Sequence, residues 1–183
     1  RRIVARVAAC AAALLLAAAG ASAAVRGEAV ENDDAAWTTG GNAVWLASAV
    51  SATLGGDAAQ SGDIGDGQLN WIETGVTGPG AAYFWWRVDS EGCCDFVRFR
   101  VDGADQGGAL GGAAMPWIPK TYAIGAGSHV LRWEYSKDGS VSTGLDAAWM
   151  DAFEYVPSGL SLATALDIAS LAWSVSGNPG VNG

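Results

Sequence analysis

From Gly27 to Pro157 no apolar run lasts long before a turn-forming residue ends it, and this texture confines the chain to short strands. The clearest runs are Trp71 to Val76, Ala82 to Val88, Cys94 to Val101, Lys120 to Ile124, Val130 to Tyr135 and Ala147 to Tyr155. Between them lie turn signals at Gly78-Pro79-Gly80, Asp89 to Gly92, Asp102-Gly103, Gly125 to Ser128 and Lys137 to Ser140. Helical spacing is weak throughout, so the expectation is an all-β chain, an antiparallel β-sandwich over residues 27–157.

The ends read differently. Arg1, Arg2 and Arg6 precede an Ala/Leu-rich stretch from Val7 to Ala19, and Ala21-Ser22-Ala23 follows with small residues. That order predicts a helical secretory signal peptide over residues 1–23 and a secreted or cell-surface protein, with no membrane span after cleavage. Past a short linker at 158–160, Ala165 to Asn178 echoes Ala29 to Asn42. Ala29, Ala36, Trp37, Gly41 and Asn42 recur as Ala165, Ala172, Trp173, Gly177 and Asn178, at a constant offset of 136 positions. Residues 161–183 therefore read as the truncated start of a second copy, and contacts between neighbouring repeats are expected.

Charge narrows the partners. The chain has 10 Lys and Arg against 19 Asp and Glu. Without Arg1, Arg2 and Arg6 the balance is 7 against 19, a net charge of −12. Such acidity argues against nucleic acid and against anionic membrane surfaces. It makes calcium a candidate ligand. Asp138, Asp146 and Asp151 flank the segment YSKDGSVSTGLDAAWMD and are the candidate metal ligands, with Glu31, Asp33 and Asp34 at the other end of the domain. First and last strands of a sandwich often meet, so acids from both could converge around a hard cation, and solvated loop carboxylates are the alternative.

Cys93 and Cys94, the two cysteines beyond the predicted signal, are adjacent and staple no distant segments together. Strand alternation would send one thiol inward and the other outward, and a ring-forming disulfide between them is the alternative. The fold must stand on its own apolar core, for which Trp37, Trp45, Trp71, Trp117 and Trp149 supply area.

Several segments together resemble a family of bacterial extracellular β-sandwich modules found in repetitive surface proteins. They are Trp37 to Asn42 (WTTGGN), Ala58 to Asp66 (AAQSGDIGD), Thr77 to Val88 (TGPGAAYFWWRV), Ser90-Glu91, Asp95 to Asp102 and Tyr135 to Trp149. The resemblance implies a jelly-roll of the lectin and carbohydrate-binding kind over Ala29 to Tyr155, and it implies no defined ligand. Cys93-Cys94 and the Ala/Gly-rich stretch Gly107 to Ala114 depart from the family pattern.

Catalysis has little support. The single histidine, His129, has no partner implied by spacing, and no serine stands in a nucleophile-elbow setting. Two carboxylates suffice for glycoside hydrolysis, which keeps an enzyme as a minor alternative. Strand phase points instead to a binding face. In Tyr83 to Val88, the side chains of Phe84, Trp86 and Val88 oppose those of Tyr83, Trp85 and Arg87. The same rule sets Val97, Phe99 and Val101 against Phe96, Arg98 and Arg100, and Leu131, Trp133 and Tyr135 against Val130, Arg132 and Glu134. The apolar sets should form the core. The remainder is expected to make one face on which Tyr83, Trp85, Arg87, Phe96, Arg98 and Arg132 contact a polysaccharide or other glycan. Arg stems lying over rings and pairing with Glu134 would give an ordinary solvated face instead, suited to a spacer or adhesin repeat.

Overall fold

The computed structural model describes residues 27–159, and every named element in that span is a β-strand. The expected signal peptide (1–23) and second copy (161–183) lie outside the described residues. The strands are β1 (Trp37–Gly41), β2 (Leu46–Ser48), β3 (Ala58–Gln60), β4 (Leu69–Asp89), β5 (Phe96–Val101), β6 (Ala104–Asp105), β7 (Ile118–Ser136) and β8 (Ala147–Pro157). All pairings are antiparallel, in the order β2-β3-β8-β4-β7-β5-β6, with β1 added to β4.

Two strands are far longer than the rest, 21 residues for β4 and 19 for β7. They pair from Leu69↔Ser136 to Trp86↔Ile118 with one register shift, between Gly78 and Gly80. There Gly78 faces Gly127, and the ribbon turns over. The two glycine-rich stretches read from sequence as turns are thus facing bend points inside two continuous strands. A side chain does not fit at this line: a Cβ on Gly78 would fall 1.8 Å from the Gly125 carbonyl oxygen. Pro79 contributes no N–H to the ladder at the same point.

Turning over converts one hydrogen-bonded sheet into two layers. In layer one, the first half of β4 pairs with β1 and with the second half of β7, which continues into β5 and β6. In layer two, the second half of β4 lies between the first half of β7 and β8, which continues into β3 and β2. The inner faces meet across a ring-rich core. Phe84 of layer two lies 5.0 Å from Phe99 and 4.9 Å from Trp133 of layer one, centroid to centroid. Trp37 on β1 meets Phe153 on β8 edge-on at 5.2 Å. Phe84, Trp86, Val88, Val97, Phe99, Leu131, Trp133 and Tyr135 are all buried, as their strand phase predicts. The architecture is the antiparallel β-sandwich expected from the sequence.

The short strands β1, β2, β3 and β6 were not among the expected runs. Sequences such as LAS and AAQ carry little strand propensity; β3 is held by the longer β8, and β2 in turn by β3. β8 also breaks simple alternation. Met150 and Phe153 both point inward, because a bulge between the pairs Trp85↔Asp151 and Tyr83↔Glu154 inserts an extra residue. Ala152 takes the left-handed conformation there, at φ 49°.

Candidate ligand face and acidic cluster

With Phe84, Trp86 and Val88 buried, the intervening residues of β4 project from the outer surface of layer two. Tyr83 and Trp85 are each 39% exposed there. They sit two residues apart, about 7 Å along a strand. Arg87, next in the row, is half-buried; its guanidinium donates to Ser51 Oγ at 2.8 Å and lies 4.8 Å from the Trp149 ring centroid. Trp149 stands opposite Arg87 on β8 and packs with Ala58, Ala147 and the half-buried Trp117 in a small apolar cluster outside the main core. The Arg87 Nε is buried without a hydrogen-bond partner.

Asp151, opposite Trp85, belongs to the same outer surface and is fully buried. Its Oδ2 accepts from Thr53 N at 2.5 Å, Thr53 Oγ1 at 2.7 Å and Leu54 N at 3.1 Å, and its Oδ1 accepts from Ala152 N at 2.7 Å. These bonds tie the segment before β3 to layer two. Glu31 shares the spot and accepts from Ala152 N at 3.1 Å. Burial, reinforced by Asp151, pushes the Glu31 carboxyl up to about 7.

Phe96, Arg98, Arg100 and Arg132 project from the other side of the molecule. Their strands belong to layer one, whose inner residues face those of layer two, so the two outer rows point in opposite directions. The single face expected from sequence is therefore two faces. Strand phase separates inside from outside and does not say to which layer a strand belongs. On the layer-one face each guanidinium is engaged. Arg132 donates from Nε to Glu73 Oε2 at 2.7 Å and stacks 4.2 Å from the Trp71 centroid. Arg100 donates twice to Glu134 Oε1, at 3.0 and 3.2 Å. Arg98 bonds Ser136 Oγ at 2.8 Å, pairs with Asp105 at 3.6 Å and covers the Phe96 ring at 4.9 Å. Ion pairs over aromatic stems are what a solvated sheet face carries.

The three expected metal ligands have separate surroundings. Asp146 accepts from the Tyr135 hydroxyl at 2.9 Å and pairs with the buried Lys137 ammonium. Asp151 lies five residues further along β8, about 17 Å at strand rise, bound to Thr53 and Leu54. Asp138 groups instead with two acids that sequence reasoning did not select. Carboxylate oxygens of Glu91, Asp95 and Asp138 all lie within 4.8 Å of one another. The register Phe96↔Ser136 places the residue before β5 beside the residues after β7, which explains the meeting of Asp95 and Asp138. The spacing Glu91-Gly92-Cys93-Cys94-Asp95 held the only hint, two acids astride the cysteine pair.

Cys93 and Cys94 precede β5 and are joined to each other as a disulfide. The alternating-thiol reading is thereby corrected: the pair occupies a turn, where alternation does not apply. His129 pairs through Nδ1 with Asp102 Oδ2 at 2.7 Å, and that hydrogen bond raises its pKa.

No family model matches the chain, and no curated protein matches it. Among solved structures, the K1 cleaved adhesin domain of Lys-gingipain from Porphyromonas gingivalis W83 superposes with a TM-score of 0.50 at 14% identity, covering 67% of this chain and 91% of that one. The CBM22-1 xylan-binding domain of Paenibacillus barcinonensis Xyn10C gives 0.45 at 18% identity, covering 66% and 84%. The secreted serine protease VesC from Vibrio cholerae gives 0.49 at 15% identity over 55% of this chain, which spans only 21% of that protein. At 14% identity the likeness to the gingipain domain speaks to the β-sandwich fold alone.

Proposed function

We propose that the chain is a non-catalytic extracellular module that binds polysaccharide or another glycan on the outer face of layer two. The observation that carries this reading is the exposure of Trp85 and Tyr83, both 39%, on one strand beside Arg87. A pyranose ring presents a flat C–H face that stacks on an indole or phenol, and burying it removes apolar area from water on both sides. Arg87 is held over Trp149 and bonded to Ser51, so its position is set before a ligand arrives. Its planar donors suit sugar hydroxyls or an acidic substituent. Arg98 and Arg132, expected from sequence to share the site, have no part in it.

A second reading, a spacer or adhesin repeat, is favoured by the layer-one face, where Arg100 and Arg132 are closed off by Glu134 and Glu73. The two readings separate in one experiment. Glycan-array binding by the full chain, with Trp85→Ala alongside, should give a signal that the variant loses while its circular dichroism is unchanged. A folded wild-type chain that binds no glycan, or a variant that binds as well as wild type, overturns the platform.

A further inference from the structure

Three strand ends meet at one edge of the sandwich. β4 ends at Asp89 in layer two, β5 begins at Phe96 in layer one, and β7 ends at Ser136 beside it. Glu91 and Asp95 lie on the crossing between layers, and Asp138 follows β7. Ser90 Oγ donates to the Asp95 carbonyl at 3.0 Å, and the Asp138 amide donates to Asp95 Oδ1 at 2.9 Å. Asp95 is fully buried, yet its second oxygen, Oδ2, has no hydrogen-bond partner. The Glu91 Oε2 is likewise buried and unpartnered. Two orphaned carboxylate oxygens in one place call for a positive counterpart, since a buried charge without one is costly.

No side-chain cation in the described residues supplies it. Lys137, the nearest in sequence, is engaged by Asp146, by Asp66 at 3.6 Å and by Ser142 at 2.6 Å. Glu91, Asp95 and Asp138 form no ion pair within 4.0 Å among the described residues. One oxygen from each of the three carboxylates lies close enough to the others for a single cation to touch all three. The thiols of Cys93 and Cys94 are tied up in their disulfide, leaving an all-oxygen donor set that matches a hard cation.

We propose that Glu91, Asp95 and Asp138 bind one calcium ion and thereby fasten the crossing between layers to the end of β7. This site is separate from the layer-two face and does not depend on glycan binding.

Titration calorimetry of the full, chelator-treated chain with calcium chloride tests it. Wild type should show a saturable site that Glu91→Gln and Asp95→Asn each weaken about tenfold or more, because affinity follows the number of charged ligands. Glu31→Gln, at the other acidic pair, should leave it unchanged. Asp95→Asn keeps the oxygen that accepts from Asp138; should that variant fail to fold, Glu91→Gln decides alone. A folded wild-type chain that takes up no calcium, or variants that bind it as tightly as wild type, overturns the proposal.

Discussion

Phe84 and Phe99 meet across the core with ring centroids 5.0 Å apart, one from each layer. Their neighbours Trp85 and Arg98 consequently leave the sandwich from opposite sides. Trp85→Ala should weaken polysaccharide binding about tenfold or more, the loss of roughly 1.4 kcal/mol expected when a stacking ring is removed. Arg98→Ala should stay within about twofold of wild type. Affinity electrophoresis of both variants against the same glycan checks the pair. Equal losses from the two substitutions would place the ligand elsewhere.

What the sequence made legible was the period of two. Inward and outward residues of β4, β5 and β7 could be sorted from alternation alone, and Leu131, Trp133 and Tyr135 are buried accordingly. Layer membership was not legible, because it depends on where a long ribbon turns over. Gly78 and Gly127 read as ordinary turn residues until they are seen to face each other. The bulge at Ala152 was hidden for a related reason: nothing in Asp-Ala-Phe marks an alanine at positive φ. Asp95 sat inside a run read as a strand, and only the pairing of β5 with β7 brings it to Asp138.

Gly78→Ala tests the bend. The added methyl would stand 1.8 Å from a backbone oxygen of Gly125, an atom that moves only with its strand. Destabilisation of roughly 1–3 kcal/mol is expected, the usual cost of forcing an atom into a filled site. Gly139→Ala is the control: nothing lies within 4 Å of its Cβ position, and its midpoint in urea should shift little. A Gly78 variant as stable as wild type would show that the ribbon bends without needing the close approach.

Ala152 pairs the opposite way. It holds φ 49°, where an L side chain is strained by about 1–2 kcal/mol and glycine is not. Glycine's greater freedom in the unfolded chain offsets part of that gain. Ala152→Gly should therefore raise stability by about 0.5–1 kcal/mol, with Ala152→Val lowering it. Urea denaturation of the three proteins gives the order directly, and a destabilised glycine variant would mean that the bulge relaxes on its own.

Glu31 links the same bulge to pH. Burial first, and then the hydrogen bond and charge of Asp151, push its carboxyl up to about 7 from an ordinary value of 4.5. Between those two pH values the folded chain holds a proton that the unfolded chain has released. Stability must then fall as pH rises across that window and level off above it. The raised pKa of His129 acts in the same direction, its contribution fading as pH climbs through the folded value. Glu31→Gln removes only the first of these, since the amide cannot ionise. In metal-free buffer the urea midpoint of wild type should drop between pH 5 and pH 8, and the variant's should drop less. Identical slopes for both proteins would mean that Glu31 is charged throughout, its negative charge balanced by water or by a reorganised segment before β3.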